Sequence, residues 1–280
     1  MDIQTLSSRL RLGDDGIWYS PDSPAVSYPT ADADLYFAVE DDSFWFRHRN
    51  RCIVSVVASY PPPDHGVIFD IGGGNGFVAM GIAQAGFDVA LVEPGRHAAA
   101  NAKQRGLETV VCATAESAHF KPQSLPAVGL FDVIEHVADD VAFLRSLAAL
   151  MKPGGMLYAS VPALPLLWSE EDVLAGHFRR YTRAGLSAAL RSAGFEIVFA
   201  SSVFRLLPAP ILLLRALPYR IGLAKKKSQE SVTRDHVVQN GPLAYVLDAV
   251  MASEIGNLDK KRAMRFGASC LIAARRRPWL

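Results

Sequence analysis

Along this 280-residue chain, short fully apolar runs alternate with longer amphipathic ones, and that order predicts strands alternating with helices. Residues 67–69 read as a buried strand that Asp70 ends, and helical spacing over 77–85 follows, stopped by Gly86. The alternation continues with a strand at 88–92, a helix at 96–105 and strands at 109–112 and 128–133. A helix at 139–151, a turn at 152–155 and a strand at 156–161 come next. Thr182 caps a helix running to Ala193, and strands at 195–200 and 266–275 complete the set. Strand and helix in this order require an α/β fold, a mostly parallel sheet with helices on both faces.

The flanks do not share that rhythm. Residues 1–42 carry Trp18, Tyr19, Tyr28, Tyr36 and Phe37 among Pro, Asp and Gly, and read as an irregular N-terminal arm or lid. Residues 43–60 read as a helix with Ser43 as its N-cap and Pro61–Pro63 as its stop. The rings of Phe44, Trp45 and Phe46 either pin this helix to the core or form part of a lid. Residues 204–223 are apolar, but Pro208, Pro210, Pro218 and three arginines interrupt them. A transmembrane helix, which needs about 20 uninterrupted apolar residues, is excluded. With Lys225–Lys227 following, residues 204–227 fit a peripheral membrane contact, a substrate lid or a helical subdomain packed on the core. A polar loop at 228–241 and a helix at 242–262 precede the last strand. The domain reading is an arm (1–42), a core (43–200), a helical insertion acting as substrate cap (201–265), and a final strand with tail (266–280).

Composition adds three limits. Half of the residues are hydrophobic and a fifth are charged, enough for a well-buried core. A net charge of +1 argues against a nucleic-acid partner, and nothing in the chain sets an oligomeric state. Cys52, Cys112 and Cys270 are widely spaced with no C-x-x-C pair, which suggests neither a disulfide framework nor a thiolate zinc site. The first residues lack the apolar core of a secretory signal, and the expected location is cytoplasmic.

Candidate chemistry gathers behind the first core strand. Gly72, Gly73, Gly74 and Gly76 follow Asp70 at once, so the backbone there can lie close to a nucleotide-like ligand at a helix N-terminus. Glu93 ends the second strand about 20 residues on, where a carboxylate can accept both ribose hydroxyls. By itself the loop also fits a dinucleotide site, since residues 74–79 match the permissive G-x-G-x-x-A form. His136 in DVIEHV and His177 in GHFRRYT are candidate bases. Asp132, Glu135 and His136 have i, i+3, i+4 spacing, and His177 could add a fourth ligand-type side chain from another loop. Arg179, Arg180 and Tyr181 read equally as an anchor for an anionic acceptor or as a surface ion-pair cluster.

Five segments taken together, FDIGGGNG, VEPG, ATAES, LFDVIEHV and MKPGG, resemble the ordered motifs of class I S-adenosylmethionine-dependent methyltransferases over roughly residues 43–200. The resemblance implies a doubly wound, seven-stranded Rossmann-like sheet whose last strand runs antiparallel. It implies S-adenosylmethionine as cofactor and S-adenosylhomocysteine as product. Asp70, Gly72, Gly73 and Gly74 would face the methionine and ribose part, with Gly76 allowing close helix packing. Glu93 would hold the ribose, Thr114, Ala115 and Glu116 would edge the adenine, and Asp132 would sit at the amino-acid end. Thr114 departs from the Asp that many relatives carry there.

The activity implied is O-methylation of a small-molecule or lipid- or sugar-linked acceptor, with Glu135, His136, His177 and Tyr181 as catalytic candidates. The D-x-x-E-H segment is also similar to the E-x-x-E-H site of metal-dependent RNA 2′-O-methyltransferases and to ubiquinone-pathway O-methyltransferases. Metal-free relatives carry the E-H pair too, and no metal is assigned. The alternatives are a metal-dependent RNA methyltransferase, a non-catalytic cofactor-binding or membrane-docking protein, and a dinucleotide-dependent oxidoreductase.

Overall fold

Alternation within single strands builds the two layers of this chain. In β3 (Ile68–Ile71), Ile68 packs on one side and Phe69 and Ile71 on the other, and in β7 (Met151–Pro162) Tyr158 and Leu157 divide in the same way. The computed structural model describes residues 3–22, 33–223 and 242–278. The expectations for Tyr28, Lys225–Lys227 and the 228–241 loop lie outside them.

The remaining strands are β1 (Arg11–Leu12), β2 (Trp18–Tyr19), β4 (Val89–Val92), β5 (Thr109–Cys112), β6 (Leu125–Phe131), β8 (Phe195–Val203) and β9 (Ser269–Arg276). Their order across the sheet is β1-β2-β5-β4-β3-β6-β7-β9-β8. Neighbours from β2 to β7 are parallel, whereas β9 runs antiparallel between β7 and β8. The expected seven-stranded core is present, and the arm adds two short strands where an irregular segment was expected. Trp18 pairs with Val111 and Tyr19 with Cys112, covering backbone groups that would otherwise line an open edge at β5.

Two local expectations also change. Asp70 does not end its strand but lies inside it, opposite Leu91 and Gly129. Residues 152–155 are not a turn ahead of a strand, because β7 already starts at Met151 and absorbs them where its register against β6 shifts.

The helices of the arm are α1 (Ile3–Leu6) and α2 (Ala33–Glu40). On the Ile68 side of the sheet lie α3 (Phe44–Ser59) and α4 (Phe77–Gln84), packed through Ile53, Val56, Val57, Val78 and Ile82. Ser43 caps α3 by accepting a 3.4 Å bond from the Phe46 amide, a contact worth about 1 kcal/mol. α5 (Arg96–Gln104) covers the β4–β5 edge with Ala99 and Ala102. On the Phe69 side, α6 (Asp140–Leu150) and α8 (Arg183–Ser192) bury Leu144, Leu147, Leu186 and Leu190, while α7 (Glu170–Leu174) sits in the loop after β7. Each fully buried side chain of this kind contributes roughly 1.5–3 kcal/mol.

The segment after β8 contains α9 (Pro208–Ile211), a π-helical turn (Leu212–Ala216) and α10 (Leu217–Arg220), and α11 (Pro242–Asp259) returns the chain to the core. The helix widens just before Pro218, which has no N–H to offer the preceding turn. Its root is fixed by Glu254 of α11, a buried carboxylate that accepts the amides of Phe204 at 2.8 Å and Arg205 at 2.7 Å. Glu254 also meets His48 Nε2 of α3 at 2.9 Å. The Phe204 ring stacks on Trp45 with centroids 5.7 Å apart.

Candidate active site

Asp70 is wholly buried, and neither carboxylate oxygen has a hydrogen-bond partner among the described residues. Burial pushes its carboxyl from an ordinary 3.8 up to about 7; Arg49 opposes the rise and Glu93 adds to it. A buried carboxyl without partners is costly in itself and suited to a ligand that brings a donor. It borders a cleft of about 140 Å³, lined also by Phe46 and Arg49 of α3 and by Gly72, Gly73 and Gly74.

The glycines divide into two roles. Gly74 has φ +54° and a Cβ there would meet nothing within 4 Å, so its backbone borders open space where a ligand can come close. Gly76 has φ +79° and a Cβ there would lie 2.7 Å from Leu107 and 2.9 Å from Ala102, so its small size lets the α4 N-terminus sit on α5. Glu93, at the end of β4, is held beside the loop by the amides of Gly74 at 3.0 Å and Gly95 at 2.7 Å. Its carboxylate thereby fixes the loop that surrounds the cleft.

The arm closes one end of this cleft. Glu40, at the end of α2, lines it and meets Arg105 at 2.7 Å, and Arg105 also holds Asp41 at 3.0 Å. The Arg105 guanidinium lies over the ring of Phe37 at 4.5 Å and that of Phe77 at 5.3 Å.

Thr114, Ala115 and Glu116 lie beyond β5 and do not line the cleft. Thr114 and Ser117 exchange bonds of 3.0 Å between side chain and backbone, Ala115 is buried, and Glu116 faces solvent. Asp132 follows β6 with φ +58°, a conformation that costs a non-glycine residue energy and that surrounding contacts hold in place. Those contacts are Arg49 Nε at 2.8 Å and the Ser160 hydroxyl at 3.1 Å. Arg49 is a lining residue the sequence did not single out, whereas Phe46 stood among the three rings read either as a core anchor or as part of a lid. Their i, i+3 spacing on α3 puts them on one face, the only signal that could have joined them.

Next to Asp132 is a second group. A 3₁₀ turn at Ile134–His136 carries Glu135 and His136, and the loop after β7 brings in His177, whose ring centroid is 4.7 Å from that of His136. One ligand-type atom from each of Glu135, His136 and His177 lies within 4.8 Å of the others. Asp132 is not among them, being turned to Arg49. Burial, then the Asp132 charge, pushes Glu135 well above the usual carboxylate range, and neither of its oxygens has a well-formed partner among the described residues. Burial, then His177, pushes His136 down.

His177 Nδ1 lies 2.9 Å from Asp172 Oδ1, which also accepts Arg180 Nε at 2.7 Å. Burial works against the Asp172 charge, but the bonds from His177 and Arg180 outweigh it and hold the carboxyl below its ordinary range. Arg179 meets Asp140 at 3.0 Å, and the Tyr181 hydroxyl donates to the same carboxylate at 2.6 Å. Of the two readings of 179–181, these contacts are those of an ion-pair cluster. Tyr181 faces a different cavity, of about 340 Å³, bordered by Arg183, Arg191 and Arg265 and sharing no lining residue with the cleft at the glycine loop.

Residues 45–199, more than half of the chain, match the family model of a methyltransferase domain. The chain belongs to this family of S-adenosylmethionine-dependent methyltransferases. Over 99 residues it is 33% identical to the ubiquinone biosynthesis O-methyltransferase of Aliivibrio fischeri, a match covering 33% of this chain and 42% of that relative. The chain thus spans about two fifths of the curated relative's length. The phosphoethanolamine N-methyltransferase 2 of Haemonchus contortus, solved with S-adenosyl-L-methionine, has a similar fold: TM-score 0.56 and 18% identity, over 90% of this chain and 58% of that one. A SAM-dependent methyltransferase from Thermotoga maritima aligns with TM-score 0.54 and 19% identity, over 87% of this chain and 94% of that one. S-adenosylmethionine is the cofactor of this fold, and the residues here fit it: an unpartnered buried carboxyl at Asp70, an acid at Glu93 and an open glycine backbone between them.

Proposed function

We propose that this protein transfers a methyl group from S-adenosylmethionine to a hydroxyl oxygen of a small or lipid-linked acceptor, with His177 as the base. The observation that carries the reading is the Asp172–His177 contact of 2.9 Å in the loop beyond β7. An open α/β sheet binds its ligands at that end of its strands. The naming of the Aliivibrio fischeri relative as an O-methyltransferase supports oxygen over nitrogen.

The bound cofactor supplies an electrophilic methyl group on a sulfonium, and the chain's own residues do the rest. Asp70 and Glu93 bind and orient the donor. Asp172 can only accept, so Nδ1 of His177 carries the proton and Nε2 presents its lone pair to an acceptor hydroxyl. Arg180, on the same carboxylate oxygen, holds Asp172 charged. His136, pushed down by burial and by His177, stays neutral beside it and adds no second positive charge. Holding the acceptor close to the methyl carbon is the larger part of catalysis, and the base adds roughly 10²–10⁴ in rate.

The test is incubation of the protein and methyl-labelled S-adenosylmethionine with aqueous and lipid extracts, read by mass spectrometry. A labelled methyl ether is expected. Label found only on nitrogen would remove the oxygen assignment. His177→Ala is then expected to lose roughly 10²–10⁴ in kcat while cofactor affinity holds.

A second reading rests on Glu135, whose buried carboxylate lacks a well-formed partner beside two imidazoles. That donor set suits a divalent cation of the manganese, iron or zinc type, with Glu135, His136 and His177 as its holders. Metal analysis of the purified protein separates the two readings. A stoichiometric metal lost in Glu135→Ala favours the cation, and full activity after chelation favours the base.

A further inference from the structure

Two segments at the acceptor side combine into one apolar face. From the insertion, Leu213, Leu214, Ile221 and Leu223 are exposed, Leu214 by 74%. The loop that also carries His177 exposes Leu166 and Leu174. The Pro165–Leu167 turn packs on the π-helical turn, Arg220 donates to the Leu166 carbonyl at 2.7 Å, and Arg215 pairs with Glu171. The face is therefore a preformed plate and not a set of scattered side chains.

We propose that this plate docks on a lipid bilayer with anionic headgroups. Charge selects the occupant. Residues 204–223 contain Arg205, Arg215 and Arg220 and no acid, and the sequence continues with Lys225–Lys227, in a chain whose net charge is only +1. Arg205 pairs with Glu254 and Arg215 with Glu171, so the net positive charge of the segment comes from Arg220 and the lysine run of the sequence, and apolar side chains in so basic a stretch match an interface where acyl chains lie beneath negative headgroups. A second copy of the chain would set this cationic face against itself and be repelled. Among the described residues no helix is long and apolar enough to cross a membrane, and the continuous helical run from Pro208 to Arg220 is too short to span one, so the plate lies in the surface plane. The loop bearing Leu166 and Leu174 also bears His177, which places the docked face next to the group proposed as base.

Co-sedimentation of the full chain with vesicles tests this, needing neither cofactor nor acceptor, so its outcome stands apart from the transfer reaction. The protein is expected to pellet with phosphatidylcholine vesicles containing phosphatidylglycerol, to remain in solution with phosphatidylcholine alone, and to be released by salt. The triple variant L213S/L214S/I221S, made only at exposed positions, should keep the wild-type melting temperature and bind at least about 10-fold more weakly. Wild-type protein that ignores both vesicles, a triple variant that binds like wild type, or equal binding to neutral vesicles would each overturn the proposal. So would light scattering that finds a dimer which the triple variant dissociates, because the face would then be an interface between copies.

Discussion

Replacing Asp70 by asparagine should make the ligand-free protein more stable and the cofactor site worse. The shape of the side chain is kept and its charge removed. Burial moves the carboxyl from 3.8 to about 7, and at 1.36 kcal/mol per pKa unit this sets a ceiling of about 4 kcal/mol. The sign follows from a raised folded-state value. The contribution of Asp70 to stability is fully present below 3.8, where the group is protonated in both states, and is lost as pH rises toward about 7. An asparagine side chain does not titrate, so the gap between Asp70→Asn and wild type should be small at about pH 4 and widen by up to about 1.4 kcal/mol per pH unit until about pH 7. Urea unfolding across this range, without cofactor, measures it. Calorimetry with S-adenosylmethionine should show the opposite effect: loss of a hydrogen bond to a charged group, about 1.5–3 kcal/mol, weakens binding roughly 10- to 100-fold. A variant equally destabilised at every pH, or one with unchanged cofactor affinity, would refute the account of Asp70 as a carboxyl held ready for a ligand.

The two glycines should separate by assay. Gly76→Ala, forced against Ala102 and Leu107, is expected to lose about 1–3 kcal/mol of stability, read by the urea midpoint. Gly74→Ala has free space around its Cβ, so cofactor affinity should fall further than its backbone strain of about 1–2 kcal/mol lowers stability. Glu254→Ala strands the Phe204 and Arg205 amides and the buried His48, and should cost about 3–5 kcal/mol in thermal or urea unfolding. Burial opposes the Glu254 charge, but the bonds from His48 and the two amides lower its carboxyl. Its contribution is therefore present above the ordinary 4.5 and lost as pH falls through the lower folded value, a slope that Glu254→Gln should flatten.

The core was legible because its signals are local. Thr109–Cys112 forms the strand expected, Ser43 and Thr182 cap the helices expected, and the antiparallel last strand falls where family resemblance put it. What escaped depends on contacts far apart in sequence. Trp18 and Tyr19 become a strand only because β5 offers an edge more than ninety residues away. Asp70 reads as a strand end, since an acid in a buried strand looks wrong until the cleft beside it is seen. Arg49 belongs to a run of basic residues on α3 and gains meaning only from Asp132, far along the chain just after β6. The D-x-x-E-H spacing predicted three side chains together, but the positive φ at Asp132 turns the first away and leaves His177 to take its place beside Glu135 and His136.

One turn of α3 serves two neighbours at once. Phe46 and Arg49 reach the cleft at the glycine loop, while Trp45 and His48, one position earlier in each case, hold Phe204 and Glu254 at the root of the segment after β8. The insertion is consequently not a detachable module. Grafting a different segment onto this core after β8, or this segment onto another core, requires that turn of helix to travel with it, with Trp45, Phe46, His48 and Arg49 kept together.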